Sequence, residues 1–264
     1  MNDPRRLAQL VFGPLFAVAV AAPGVVCSAA APAPGQQPQA KPAAVKRVVI
    51  VTGEDYPGHK WQQTTPVLKR LLEADARLRV TVVEDLKFLR SRELGKYEVV
   101  VMHFKNYDPK VPGPEGWKNL EGFVRAGGGL VLVHFACGAF QEWPGFVKLA
   151  GRVWNPKLRG HDPHRKFRVQ ITAAEHPITR GLKAFETTDE MYTCLDGKTP
   201  VEVLATAVSK VDGKTYPMAF VLDYGKGRVF HSPLGHDVAA FEAPGVGELF
   251  RRGCAWTARL DPRP

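Results

Sequence analysis

The sequence predicts an α/β fold built around a parallel sheet. Short runs rich in β-branched residues alternate with stretches of helical period. The runs lack polar alternation, the pattern of strands covered on both faces. Strands and helices that alternate in this way imply right-handed crossovers between parallel neighbours.

Lys46 to Thr52 (Lys-Arg-Val-Val-Ile-Val-Thr) is the first predicted strand. A loop with Gly53, Pro57 and Gly58 follows, and Thr64-Thr65-Pro66 is expected to open a helix. Pro66 suits a first turn, and Val67, Leu68, Leu71 and Leu72 supply an apolar stripe. Leu78 to Val83 and Tyr97 to Met102 read as the next strands. Pro114 to Ala126 reads as a helix stopped by Gly127-Gly128-Gly129, before a fourth strand from Leu130 to Val133. Gln141 to Ala150 is expected to be helical. Shorter strands are predicted at Phe167 to Ile171, Val201 to Ala205, Met218 to Leu222 and Arg228 to His231, with a closing helix from Val246 to Ala258. This organisation makes one domain of residues 45–260, with an irregular insertion over 151–220.

The N-terminus has a different character. Arg5-Arg6 precede an apolar run from Leu7 to Ala22, and Cys27-Ser28-Ala29-Ala30-Ala31 offers small residues for cleavage. Residues 1–31 therefore read as a secretory signal peptide, whose alternative is an uncut anchor. Export to the periplasm or beyond is expected, by the Sec or the twin-arginine route. Residues 32–44, rich in Pro, Ala and Gln, read as an unstructured linker. No later apolar run approaches the roughly 18 residues of a membrane span, so no membrane contact is expected once the leader is removed.

Hydrophobic residues make up 45% of the 264 and charged residues 23%, which suits a buried core and excludes a globally disordered chain. The net charge is +10, yet no Lys/Arg block interleaves with aromatics, so nucleic acid is not an expected partner. Four cysteines are too few for a disulfide framework, and Cys137, Cys194 and Cys254 of the mature chain cannot all pair with one another.

The candidate chemistry lies in the histidines. Open parallel sheets bind ligands at the carboxyl ends of their strands. His59 lies in the loop after the first predicted strand, His103 and His134 directly follow the third and fourth, and His236 lies just beyond the last. Imidazoles act near neutrality as base, acid or metal ligand. His134 also precedes a predicted helix, whose N-terminal partial charge favours a neutral ring. Asp189 and Glu190 are the acidic candidates to face this cluster; Tyr192 lies close by in sequence, and His161 lies in the irregular segment. The histidines suffice for a divalent metal such as zinc, but no close-spaced ligand motif specifies one. Gly53-Glu54-Asp55-Tyr56-Pro57-Gly58 is neither a dinucleotide fingerprint nor a P-loop, and no nucleotide cofactor is expected.

Several stretches together carry a family resemblance. They are Val48-Val49-Ile50-Val51-Thr52 running to Gly58-His59-Lys60-Trp61, and Gly127-Gly128-Gly129-Leu130-Val131-Leu132-Val133-His134. His176-Pro177-Ile178 with Gly181-Leu182 and Phe185 follow, then Asp189-Glu190-Met191-Tyr192. Tyr224-Gly225-Lys226-Gly227-Arg228-Val229-Phe230 and Leu234-Gly235-His236-Asp237 complete the set. Over residues 46–258 the chain resembles the ThuA-like (trehalose utilisation) family of the class I glutamine amidotransferase-like superfamily. The resemblance implies a flavodoxin-like, three-layer sandwich with a mainly parallel central sheet. It also places His134 where true amidotransferases carry a cysteine nucleophile, and His236 where they carry a late histidine. Cys137 falls three residues after that elbow, which argues against glutamine amidotransferase activity.

The resemblance implies a small carbohydrate substrate, in particular oxidised (3-keto) disaccharides and glycosides. The expectation is an exported carbohydrate-active enzyme working by histidine acid/base chemistry: hydrolysis, elimination or isomerisation. His134, His236, Glu190 and Asp189 are its expected catalytic groups, with His59, His103, Tyr192 and His161 contacting substrate. The alternatives are a non-catalytic sugar-binding module of the same fold and a cysteine-dependent amidohydrolase using Cys137. The residues leave the oligomeric state open.

Overall fold

Four strands and their neighbours on the sheet explain the uninterrupted apolar runs. In a computed structural model that describes residues 13–14, 16–17 and 44–262, β1 (Lys46–Val51), β2 (Leu78–Val83), β3 (Val99–Met102) and β4 (Gly129–Val133) pair in parallel. Val48 to Val51 and Val99 to Met102 are wholly buried, alternate side chains entering opposite faces. On one face Val48, Ile50, Val99 and Val101 pack against Val67, Leu68 and Leu72 of α1 (Trp61–Glu73). On the other, Val49, Val51, Val100 and Met102 meet Leu120 and Val124 of α2 (Gly113–Arg125). Each such side chain contributes about 1.5–3 kcal/mol by leaving water, and helices covering both faces make three layers. The expected leader and linker lie almost wholly outside the described residues, and the compact unit is Ala43–Pro264.

After α2 the chain stops as the glycine run implies. Gly127 has φ +123, its N–H bonds to the Val124 carbonyl, and the Gly128 N–H reaches back to Phe123. This is a Schellman closure, which needs a left-handed residue at that point. Two expected helices shift. α1 begins at Trp61, so Pro66 lies inside it rather than in its first turn. The expected helix from Gln141 contracts to α3 (Phe146–Ala150), because Pro144 and Gly145 interrupt its start.

The second half corrects the expectation of a mainly parallel sheet. β5 (Arg165–Ile171), β6 (Phe185–Asp189), β7 (Glu202–Val208), β8 (Thr215–Tyr224) and β9 (Gly227–Ser232) complete nine strands in the order β2-β1-β3-β4-β9-β8-β7-β5-β6. β9 pairs with β4 in parallel, but β8–β9, β7–β8, β5–β7 and β5–β6 are antiparallel. The sheet is therefore mixed. The reversal occurs at Tyr224-Gly225-Lys226-Gly227, where Gly225 adopts φ +61 and a Cβ would meet the Arg125 carbonyl oxygen at 2.8 Å. Only glycine fits that tight hairpin. Within the stretch expected to be more irregular, the predicted strands are β5, β7 and β8, and β6 is added to them. α4 (Val238–Glu242) and α5 (Pro244–Thr257) close the chain, with α5 packing its Leu249 and Phe250 on the same face as α1. Among the described residues, no helix is long and apolar enough to cross a membrane.

Candidate functional site

The carboxyl ends of β1, β4, β6 and β9 meet at one rim, and side chains from all four converge there. β4 runs directly into a single 3-10 turn, His134–Gly138, and His134 itself has φ 47. A non-glycine residue in the left-handed region is strained, a feature that concentrates at functional sites. The His134 ring is fully buried, and its Nδ1 lies 2.8 Å from the Pro233 carbonyl oxygen. A carbonyl only accepts, so Nδ1 carries the proton and the neutral ring presents a bare Nε2. Burial pushes the His134 pKa down to about 4, outweighing the opposing pull of Glu190. The neutral ring expected from the sequence is thus supported by desolvation rather than by a helix dipole.

His236 stands opposite. Its Nδ1 lies 3.3 Å from His134 Nε2 and 3.2 Å from Glu190 Oε2. Burial works to lower its pKa, but the hydrogen bond and charge of Glu190, with Asp189 and Asp237 behind, raise it above the ordinary value. Glu190 Oε2 is also 3.5 Å from His134 Nε2 and 4.0 Å from His59 Nε2. Burial alone would raise the Glu190 carboxyl, yet the imidazoles of His134, His236 and His59 hold it below the usual carboxylate range. His59 stacks on Phe135 with ring centroids 4.3 Å apart, and burial lowers its pKa. Its Nδ1 is buried without a hydrogen-bond partner among the described residues. One ligand-type atom from each of His59, His134, Glu190 and His236 lies within 4.8 Å of all the others.

Two expected site residues take other roles. Asp189, at the end of β6, is wholly buried and accepts the backbone N–H groups of Gly235 at 2.7 Å, Glu190 at 2.8 Å and His236 at 3.1 Å. Burial pushes its pKa up to about 7 against those three donors. It positions the backbone of Glu190 and His236 and does not reach the cavity. His103 is also buried completely, its ring nitrogens 2.9 Å from Thr65 Oγ1 and 3.3 Å from Thr64 Oγ1. The ring is turned into α1, away from the rim, so a substrate contact is corrected to a buried joint between β3 and α1.

Above the cluster opens a cavity of about 360 Å³ lined by His59, His161, Glu190, Tyr192 and His236, with Tyr56, Lys105, Tyr107, Phe135 and Trp154 among its walls. Tyr192 sets its ring edge-on to His134 at 4.7 Å, and His161 Nε2 lies 3.8 Å from Glu190 Oε1. Tyr56 and Tyr107 stack at 5.3 Å. Lys105 escaped the sequence reading. Its ammonium sits 4.2 Å from the Trp154 ring centroid, and burial lowers its pKa. The signal that points to it is its place just beyond the carboxyl end of β3. Cys137 is fully buried below the rim, and burial pushes its thiol up to about 12, the opposite of an activated nucleophile. A larger depression, about 580 Å³, lies by the amino ends of β1 and β4 near Lys46, Gly128 and Thr257. The one group of metal-ligating side chains found among the described residues lies at the smaller cavity and not here.

Comparison with known proteins agrees with this architecture. The chain shares its fold with a ThuA-like protein from Parabacteroides merdae ATCC 43184, at 25% identity and a TM-score of 0.70 over 81% of this chain and 90% of that one. A ThuA-like protein from Bacteroides uniformis ATCC 8492 superposes with a TM-score of 0.67 at 21% identity, over 86% and 99% of the two chains. A β-galactosidase from Bacillus circulans is similar in fold alone, at 12% identity and a TM-score of 0.56, over 83% of this chain and 32% of that one. No curated protein matches the sequence. The family described as ThuA, trehalose utilisation, matches residues 47–257, nearly the whole compact unit. The chain belongs to the ThuA family.

Proposed function

We propose that the chain is an exported carbohydrate-processing enzyme acting on glycosides or disaccharides, with keto-sugars as the substrates its chemistry suits. The observation that carries this reading is the approach of Glu190 Oε2 and His236 Nδ1 to 3.2 Å at the floor of an aromatic-walled cavity. The family description, trehalose utilisation, supports the substrate class. Sugar rings stack on aromatic faces such as Trp154 and Tyr107, and the cavity has the size of a small-ligand site.

A keto group acidifies the neighbouring C–H. Glu190, ionised across neutral pH, is the carboxylate placed to accept that proton, a weaker base while three imidazoles hold its pKa down. Lys105 stabilises the negative charge that develops on the keto oxygen. His236, whose raised pKa suits a general acid, delivers a proton to the departing glycosidic oxygen as its C–O bond breaks. Addition of water to the resulting double bond completes a net hydrolysis, and without it the outcome is elimination. His134 lies behind this pair and orients it.

The test is a screen of keto-glycosides and their parent glycosides against the wild type, Glu190→Gln and His236→Ala. Both variants should fold, by circular dichroism, and lose turnover by about 100-fold or more. Unchanged turnover in both rejects the assignment, and saccharide binding without product identifies a binding module. Export is supported by Arg5-Arg6, the apolar run and the small residues after it. A native N-terminus near residue 32 supports cleavage, and one at Met1 rejects it.

A further inference from the structure

His134 cannot serve the proposed proton transfers directly, because it is sealed beneath Glu190 and His236. Its geometry nevertheless has a purpose. The Pro233 carbonyl fixes the proton on Nδ1, so the Nε2 lone pair faces Glu190 Oε2, itself a lone-pair atom, at 3.5 Å. Two such atoms repel unless a positive centre lies between them. The single Nδ1 proton of His236, 3.2 Å from one and 3.3 Å from the other, can point squarely at only one of them or be shared between both in two bent, weak bonds.

We propose that His134 Nε2, His236 Nδ1 and Glu190 Oε2 bind a divalent transition-metal ion of the zinc type, with His59 Nε2 as a fourth ligand. Zinc holds nitrogen and carboxylate oxygen at about 2.0–2.2 Å, so tetrahedral ligands lie about 3.3–3.6 Å apart. The three edges seen here are 3.2, 3.3 and 3.5 Å. His59 Nε2 stands farther out, at 4.0 Å from Glu190 Oε2, and its ligand atom lies within 4.8 Å of those of the other three, so it must move inward to complete the set. For His134 the supporting group matches as well, whereas His59 Nδ1 has no hydrogen-bond partner among the described residues. A metal-bound imidazole commonly donates its other N–H to a carbonyl, as His134 does to Pro233. Asp189 pins the backbone N–H groups of Glu190 and His236 together, so one buried carboxylate sets the separation of two ligands. Three imidazoles and one carboxylate suit zinc, cobalt or ferrous iron, and not the all-oxygen preference of magnesium or calcium.

The ion would sit at the floor of the cavity, where it polarises a carbonyl or a bound water; because it takes up Glu190 Oε2 and His236 Nδ1, it would replace that pair's acid/base role and not add to it. This inference rests on reading the cluster as the functional centre, but its test reads metal directly. The full mature chain, untagged and stripped with a chelator, is titrated with Zn²⁺ and with Mg²⁺ by calorimetry, and loaded with Co²⁺ for visible spectroscopy. One equivalent of Zn²⁺ is expected, with no binding of Mg²⁺ and with Co²⁺ absorption of low-coordinate intensity. Glu190→Gln keeps the side-chain shape and should weaken Zn²⁺ by more than about 100-fold, beyond the loss of an outer partner. His134→Ala and His236→Ala should do the same, and His59→Ala should weaken it less. Failure of the folded wild type to bind Zn²⁺, or equal affinity in the Gln and both Ala variants, overturns the proposal. Turnover by a metal-free wild type that binds no Zn²⁺ removes the ion and leaves the acid/base reading standing. Tight Zn²⁺ binding with no sugar turned over does the reverse.

Discussion

The Asp189 carboxylate accepts the backbone N–H of Gly235 at 2.7 Å and so ties the end of β6 to the turn after β9, 46 residues away in sequence. Gly235 has φ +105, and a Cβ there would meet the Phe241 ring at 2.7 Å, so neither side of this contact tolerates much change. Asp189→Ala would leave three backbone N–H groups without their acceptor, that of Gly235 buried and those of Glu190 and His236 partly so. The loss should be at least about 1–3 kcal/mol, the penalty for a single such group. Urea denaturation measures it, and a shift in midpoint within error would contradict the role assigned to Asp189.

Acid stability should depend on Asp75. Its carboxylate accepts from the Arg77 Nε at 2.8 Å and is buried between α1 and β2. The Arg77 hydrogen bond lowers its pKa in the folded chain, against the effect of burial. A depressed folded pKa adds stability that is fully present above the unfolded value, about 3.9, and fades as pH falls through the folded one. Asp75→Asn should therefore lower stability at pH 7 and flatten the decline below about pH 4. Denaturation curves over the acid range decide it, and parallel declines in both proteins would refute it.

Trp154 should govern substrate affinity. It forms a cavity wall beneath the Lys105 ammonium, 4.2 Å from its ring centroid. Trp154→Ala should weaken saccharide binding by about tenfold, close to the upper range of a stacking contact. Calorimetry with the best glycoside of the screen provides the number, and an unaltered Kd would move the sugar elsewhere.

Thiol reagents should leave turnover intact. Cys137 is buried with its thiol pushed up to about 12, whereas Cys194 is only half-buried. Iodoacetamide at neutral pH is expected to label Cys194 before Cys137 in the native protein. Inactivation that tracks Cys137 labelling, by peptide mass spectrometry, would restore the cysteine-hydrolase alternative.

How far the sequence could be read depended on what each element buries. β1, β3 and β4 are covered on both faces, so their apolar runs mark them without ambiguity. β6, Phe-Glu-Thr-Thr-Asp, lies at the sheet edge with two exposed polar residues, and no run identifies it as a strand. The strand-end rule brought His59, His134 and His236 to one place, and His103 to the same rim in sequence alone. What separates His103 from His134 is backbone direction: the left-handed φ of His134 leaves its Nε2 facing Glu190, whereas the His103 ring lies against Thr64 and Thr65. Nothing in residue order specifies that turn. The approach of Asp189 to Gly235 was likewise illegible, because it depends on pairing across the antiparallel half.

The mixed sheet gives the centre a particular vulnerability and a particular reward. His59 and His134 come from the parallel strands, Glu190 follows the outermost antiparallel one, and His236 follows the strand at the seam. The four side chains come from four separate segments, so the centre forms only once distant contacts have closed. Any molecule that grips all four side chains must then resist unfolding of the entire body, and its occupancy would be read as a rise in global melting temperature rather than the stiffening of one loop.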